Sequence, residues 1–231
     1  MIRRLALLAL LALLPSAVAR AEPVPADVTA ALAACRQMPG APIRSAGVTL
    51  CFSGEIDAAS TARAITLLPA VTAMVITSDG GEVRAALALA RALRAGGQLL
   101  VVERACVSSC ANFLFTAARR KAVAPEALVV FHGGIAPQAF GGLFGGGDER
   151  QLLGETQGFF RDIGVDGSIT YDPPYRRDPR SGVRSLADEW TASPAGLRRR
   201  GVGGIVSLWW PSPEAVIRQG ARQGLQLGIL D

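Results

Sequence analysis

Between residues 48 and 132 the chain alternates short, unbroken apolar runs with helical patterns, and few folds accept that alternation. Val48 to Phe52, Ala73 to Thr77, Leu99 to Val102 and Leu128 to Phe131 are nearly apolar throughout. Strands that are covered on both faces read this way, because no side of them meets water. The segments between them carry helical signals. Asp57 caps a helix running to Leu68, where Pro69 stops it. Glu82 to Ala95 places Val83, Ala86, Leu87, Ala90 and Leu93 on one face and ends at Gly96-Gly97. The implied class is α/β with a mostly parallel sheet.

The flanks are different. Arg3 and Arg4 precede an apolar run from Leu5 to Leu14, followed by Pro15, Ser16 and the small-x-small pattern Ala19-Arg20-Ala21. This is the pattern of a cleaved secretory signal over residues 1–21, with Glu22 as the first mature residue and the periplasm or the exterior as destination. The run is about half the ~20 residues of a membrane span, so no stable membrane insertion is expected after cleavage. Residues 22–46, rich in Ala and Pro with a short helical pattern around Val28 to Cys35, read as a lead-in. Residues 47–165 read as the α/β core and 166–231 as an irregular, partly helical C-terminal extension. Within the core, Phe140 to Gly147 is a glycine-rich loop, a lid or a plain linker, and a helix follows over 149–163. Near the end, Ser212 caps a last helix that starts at Pro213.

Charge and composition exclude several classes. The chain has 24 basic and 19 acidic residues, a net charge of +5, of which Arg3, Arg4 and Arg20 leave with the signal. The basic run Arg198-Arg199-Arg200, with Arg176, Arg177, Arg180 and Arg184 upstream, reads as a solvated segment and not as the concentrated basic face that nucleic acid needs. One histidine, His132, is too few for the usual His-rich zinc sites, and neither a phosphate loop nor a dinucleotide fingerprint is present. No metal and no cofactor is expected. Four cysteines in an exported chain allow three disulfide pairings. Cys35 with Cys51 tethers the early segment, leaving Cys106 with Cys110. That second bridge requires a tight turn, and two reduced, buried thiols are the alternative.

The chemistry concentrates at three strand ends. Ser78-Asp79-Gly80-Gly81 closes one strand, Cys106-Val107-Ser108-Ser109-Cys110-Ala111-Asn112 joins a strand to the apolar helix starting at Phe113, and His132-Gly133-Gly134 closes a third. Serine catalysis needs a hydroxyl, a base for its proton and backbone N–H donors for the oxyanion. If an imidazole is the base, it is His132. Gly80 and Gly81 let the backbone approach a substrate closely, because no Cβ intervenes.

This ordered set resembles the proteolytic subunit of Clp protease and its relatives in the ClpP/crotonase superfamily. It is also similar to exported ClpP-like proteins of bacteria whose serine lies between two cysteines. The resemblance covers about residues 48–135 and implies a spiral of strand-strand-helix units. Carried onto this chain, it implies Ser109 as nucleophile with Ser108 as runner-up and His132 as general base. It also implies oxyanion donors from the Gly80-Gly81 pair and the Cys110 N–H. The acid that orients the histidine has no clear counterpart. Asp166 or Asp172 is the expected choice, with Asp162 and Asp178 also in range.

The implied function is an exported serine hydrolase, a peptidase acting on a peptide or protein substrate. The family's rings and trimers extend the expectation to a homo-oligomer. Two other classes compete. One is a catalytically silent binding or adaptor module of the envelope, favoured by the missing acid and by Cys110 beside the serine. The other is a thiol-disulfide protein using Cys106 and Cys110.

Overall fold

A computed structural model describes residues 23–38, 40–134, 147–177 and 181–231. The expected signal at 1–21 lies outside these residues, as does the glycine-rich loop up to Gly146. The elements in chain order are α1 (Ala26–Gln37), β1 (Ile43–Ala46), β2 (Thr49–Ser53), α2 (Ala58–Leu67), β3 (Ala73–Ser78), α3 (Val83–Gly96) and β4 (Leu99–Val107). Next come a π-helix (Cys110–Phe115), β5 (Arg120–Val123), β6 (Leu128–Val130) and α4 (Gly147–Ile163). The remainder comprises β7 (Tyr175–Arg177), β8 (Arg184–Leu186), β9 (Glu189–Ala192), α5 (Pro194–Arg199), β10 (Ile205–Leu208), α6 (Pro213–Arg222) and β11 (Leu227–Leu230).

The central sheet runs β1-β2-β3-β4-β5-β10, with β6 also on β4, and every pairing except β1–β2 is parallel. The α/β class with a mostly parallel sheet is therefore as the apolar runs imply. Leu50, Met74, Ile76 and Leu100 to Val102 are fully buried, which requires cover on both faces. The local signals act where they stand. Asp57 and Ser60 form a reciprocal cap at α2, with Ser60 N–H donating to Asp57 Oδ1 at 2.7 Å and Asp57 N–H to Ser60 Oγ at 2.9 Å. Gly97 ends α3 in the left-handed conformation at φ +72°.

β4 is twice as long as its apolar run and serves two partners. Leu99 to Val102 pair with β5, and Ala105 to Val107 pair with β6. Between these halves the register against β3 slips, from Ile76 opposite Val102 to Ser78 opposite Cys106. Such a bulge bends the strand and re-aims its far end. The serine stretch is attached to that end.

At both expected flanks the chain joins the sheet. The lead-in is part of the core, because α1 buries Val28, Ala31, Leu32 and Cys35 against the sheet and a Cys35–Cys51 disulfide ties it to β2, Cα atoms 5.6 Å apart. Asp27 and Arg36 add ion pairs to Arg120 and Glu103 at 2.7 and 2.9 Å. The C-terminal part is likewise no appendage. β10 pairs with β5 as a sheet strand, and Phe131 exchanges both backbone hydrogen bonds with Trp190, which precedes Thr191 in β9. Its strands are only three or four residues long, too short to stand out as strand signals.

Candidate active site

At the end of β3 the chain turns through Ser78 to Gly81, with Gly80 N–H donating to Ser78 Oγ at 3.1 Å. Ile56 then pairs with Gly81: its N–H donates to Gly80 O at 2.8 Å, and its carbonyl accepts from Glu82 N–H at 2.8 Å. In a parallel bridge of this kind Gly81 turns its own N–H and C=O to the opposite side. That side holds the serine stretch. The Gly81 carbonyl accepts from Ser109 Oγ at 2.8 Å, and among the described residues the Gly81 N–H has no partner. Both glycines are obligatory here. A Cβ on Gly80 at φ +103° would lie 2.7 Å from Ser108 Cβ and 2.9 Å from Ser109 N, and one on Gly81 at φ +147° would strike the Ile56 carbonyl.

The two serines have different surroundings. Ser109 is buried, and its hydroxyl is already committed to Gly81. Ser108 is half-buried, its hydroxyl has no partner among the described residues, and its backbone stands at φ +56°. A non-glycine residue in that region costs about 1 kcal/mol or more, and such residues gather at functional sites. Ser108 N–H donates to Val130 O at 3.0 Å, while its carbonyl turns away to accept from Asn112 N–H at 2.7 Å. The first bond continues the β4–β6 ladder by one residue, so Ser108 stands opposite Phe131 and between Val130 and His132. The second bond ends the strand and starts the helix. The N–H groups of Ser109 and Cys110 are without partners at that start. A Cys106–Cys110 disulfide, Cα atoms 5.1 Å apart, closes the loop around both serines, and both cysteines are buried.

His132 is half-buried and makes no hydrogen bond or ion pair among the described residues. Asp166 and Asp172 do not orient it. Both carboxylates bind the Arg200 guanidinium, at 2.6 and 2.9 Å, and Ser168 Oγ joins the same cluster. Burial pushes the Asp166 carboxyl up, but its bonds to Arg200 and Ser168 outweigh this and hold it below the usual value. These acids fasten the 166–172 turn to the end of α5. Asp178 lies outside the described residues.

Two polar residues near the site carry no sequence signal. Asn112 is buried in an otherwise apolar π-helix, and its Oδ1 has no partner. Lys121 is buried with its Nζ over the Phe115 ring at 5.3 Å and donating to the Thr116 carbonyl at 3.2 Å. Burial, with Arg94 nearby, pushes its ammonium down to about 7. Thr116 is about two helical turns, roughly 10 Å, from Ser109, so Lys121 caps the far end of the helix and does not reach the serines. Among the described residues no group of three or more His, Cys, Asp or Glu side chains is arranged to hold a metal ion. No helix among them is long and apolar enough to cross a membrane.

No family model matches this chain, and no curated protein does. Several solved structures are similar. The 1510-N membrane-bound stomatin-specific protease in complex with a substrate peptide is 10% identical, covering 77% of this chain and 87% of that one, with a TM-score of 0.38. An enoyl-CoA hydratase/isomerase from Marinobacter aquaeolei is 11% identical, covering 79% and 74%, with a TM-score of 0.39. Another member of the enoyl-CoA hydratase/isomerase family is 12% identical, covering 79% and 74%, with a TM-score of 0.36.

Proposed function

We propose that this chain is an exported ClpP-like serine hydrolase acting on peptides. In this reading Ser108 is the nucleophile, His132 the general base, and the N–H groups of Gly81 and Ser109 the oxyanion donors. The nucleophile moves by one residue from the sequence expectation, and Cys110 yields its donor role to Ser109. One observation carries the choice: Ser108 is held at φ +56° with an unpartnered hydroxyl, while the Ser109 hydroxyl is bonded to Gly81 at 2.8 Å.

The chemistry starts from these positions. Ser108 Oγ attacks the scissile carbonyl carbon and passes its proton to the His132 ring. The carbonyl oxygen takes the negative charge, which the two N–H groups stabilise. The tetrahedral adduct expels the amine, which takes the proton from His132, and leaves an acyl ester on Ser108. Water, deprotonated by His132, hydrolyses that ester and restores the hydroxyl. No described carboxylate orients the imidazole, so the pair acts as a dyad.

The test is labelling of the mature, oxidised protein with a tagged fluorophosphonate, then mass spectrometry of the labelled peptide. The adduct is expected on Ser108, lost in Ser108→Ala and His132→Ala and retained in Ser109→Ala at a rate lower by about tenfold to a hundredfold. An adduct that survives Ser108→Ala and disappears in Ser109→Ala overturns the assignment. The second reading is a catalytically silent binding module, favoured by the unpartnered His132 ring. Absence of any adduct in folded protein selects it.

A further inference from the structure

A second concave surface lies within the C-terminal part, away from the serines. Five consecutive residues, Leu225 to Ile229, line a groove of about 780 Å³ together with Ile217 and Ala221 of α6 and Tyr175 to Arg177 of β7. Three of them, Leu227 to Ile229, are successive residues of β11, and since successive strand residues face opposite ways, a groove touching all three follows the strand's edge and not one of its faces. The edge is open. β11 pairs with β9 alone among the described strands.

Among the described residues the charges lining the groove have one sign: Arg176 and Arg177 belong to it and no carboxylate does, and Arg184 stacks on the Tyr175 ring at 5.0 Å. None of these three arginines has an ion-pair partner among the described residues. The Nε of Arg176 is buried without any hydrogen-bond acceptor. A guanidinium N–H removed from water with no acceptor for its hydrogen bond is costly unless a ligand supplies one. The wall formed by α6 is apolar, with Ile217 41% exposed, and Tyr175, beside the arginines, is 62% exposed.

We propose that this groove binds an extended peptide segment in which apolar side chains alternate with carboxylates. The segment adds as a strand along the free edge of β11, its carboxylates meeting Arg176 and Arg177 and its apolar side chains meeting Ile217 and Ala221. Backbone hydrogen bonds to an open strand edge supply affinity, and alternate side chains supply selectivity. The arginines supply bidentate sites for the carboxylates. The proposal does not rest on the hydrolase reading.

The experiment is fluorescence anisotropy of the full chain with a fluorescein-labelled decapeptide alternating valine and glutamate. The same peptide with lysine for glutamate is the control, and a third is methylated at alternate backbone nitrogens. The glutamate peptide is expected to bind, the lysine and methylated peptides at least about tenfold more weakly. Arg176→Glu with Arg177→Glu is expected to reverse the preference between the charged peptides. Arg176→Gln, a milder change should the double variant not fold, is expected to weaken the glutamate peptide alone. Ser108→Ala is expected to bind like the unaltered chain, which separates this result from any failure of labelling at the serines. Equal binding of both charged peptides, no binding of the glutamate peptide, or sedimentation showing two copies joined through this face overturns the proposal.

Discussion

At its C-terminal end the π-helix receives Lys121, whose ammonium meets the Thr116 carbonyl at 3.2 Å in a site sealed from solvent. At its N-terminal end Ser109 N–H and Cys110 N–H receive nothing, and Ser108 stands beside them with a free hydroxyl. Both ends face the same physical demand, because the terminal backbone groups of any helix lack partners within it. The buried end is satisfied from inside, by a long side chain from the next strand. The end beside Ser108 is left open, its N–H groups available to an acceptor from outside the chain. Satisfaction at one end and deficit at the other separate a structural terminus from one left open to a ligand.

The largest effect that would break this comparison is expected from Gly81→Ala, because the added Cβ meets the Ile56 carbonyl with no room to move. It is expected to lower stability by about 4 kcal/mol in urea denaturation. A change under about 1 kcal/mol would mean that the Ile56–Gly81 bridge does not hold the open end in place.

The closed end is probed by pH. Lys121 titrates at about 7 when folded and at its ordinary 10.5 when unfolded. Between those values the unfolded chain binds more protons, so stability rises with pH across that window and is flat below it. From about pH 7 to about pH 9.5 the gain is on the order of 3 kcal/mol, read from urea midpoints, and Lys121→Met abolishes the rise. An identical slope in the Met variant would show that Lys121 keeps an ordinary titration and is not a sealed cap.

The smallest effect sharpens the contrast. Ser108→Gly removes the cost of φ +56° and is expected to raise the melting stability by about 1 kcal/mol while removing fluorophosphonate labelling. A destabilised variant would show that the Ser108 side chain holds the fold, and would take away the argument that its strain serves chemistry.

The sequence carried the sheet and the caps, and the reason is locality. Apolar runs, Asp57 before α2 and Gly97 after α3 each act within a few residues, so they read directly. Both disulfide pairs are as expected, Cys35 with Cys51 and Cys106 with Cys110. The illegible parts depend on distance. Arg200 claims Asp166 and Asp172 from about thirty residues away, which no pattern around the acids reveals. Ser108 and Ser109 are adjacent and alike in sequence, and only φ and the Gly81 carbonyl tell them apart. β5 carries no apolar run because Arg120 and Lys121 interrupt it, and Lys121 has the character of a surface residue although its side chain folds under the π-helix.

The order in which the sheet is completed has a consequence for synthesis. β5 acquires its outer neighbour only when β10 arrives, about eighty residues later in the chain. Until then Arg120 to Val123 present an open strand edge on a nearly finished apolar sheet, the kind of surface on which nascent chains stick to one another. A ribosome that stalls before Leu208 therefore releases a chain with most of its core and an unguarded flank, and such truncated products are expected to need a holding chaperone that the full-length protein does not.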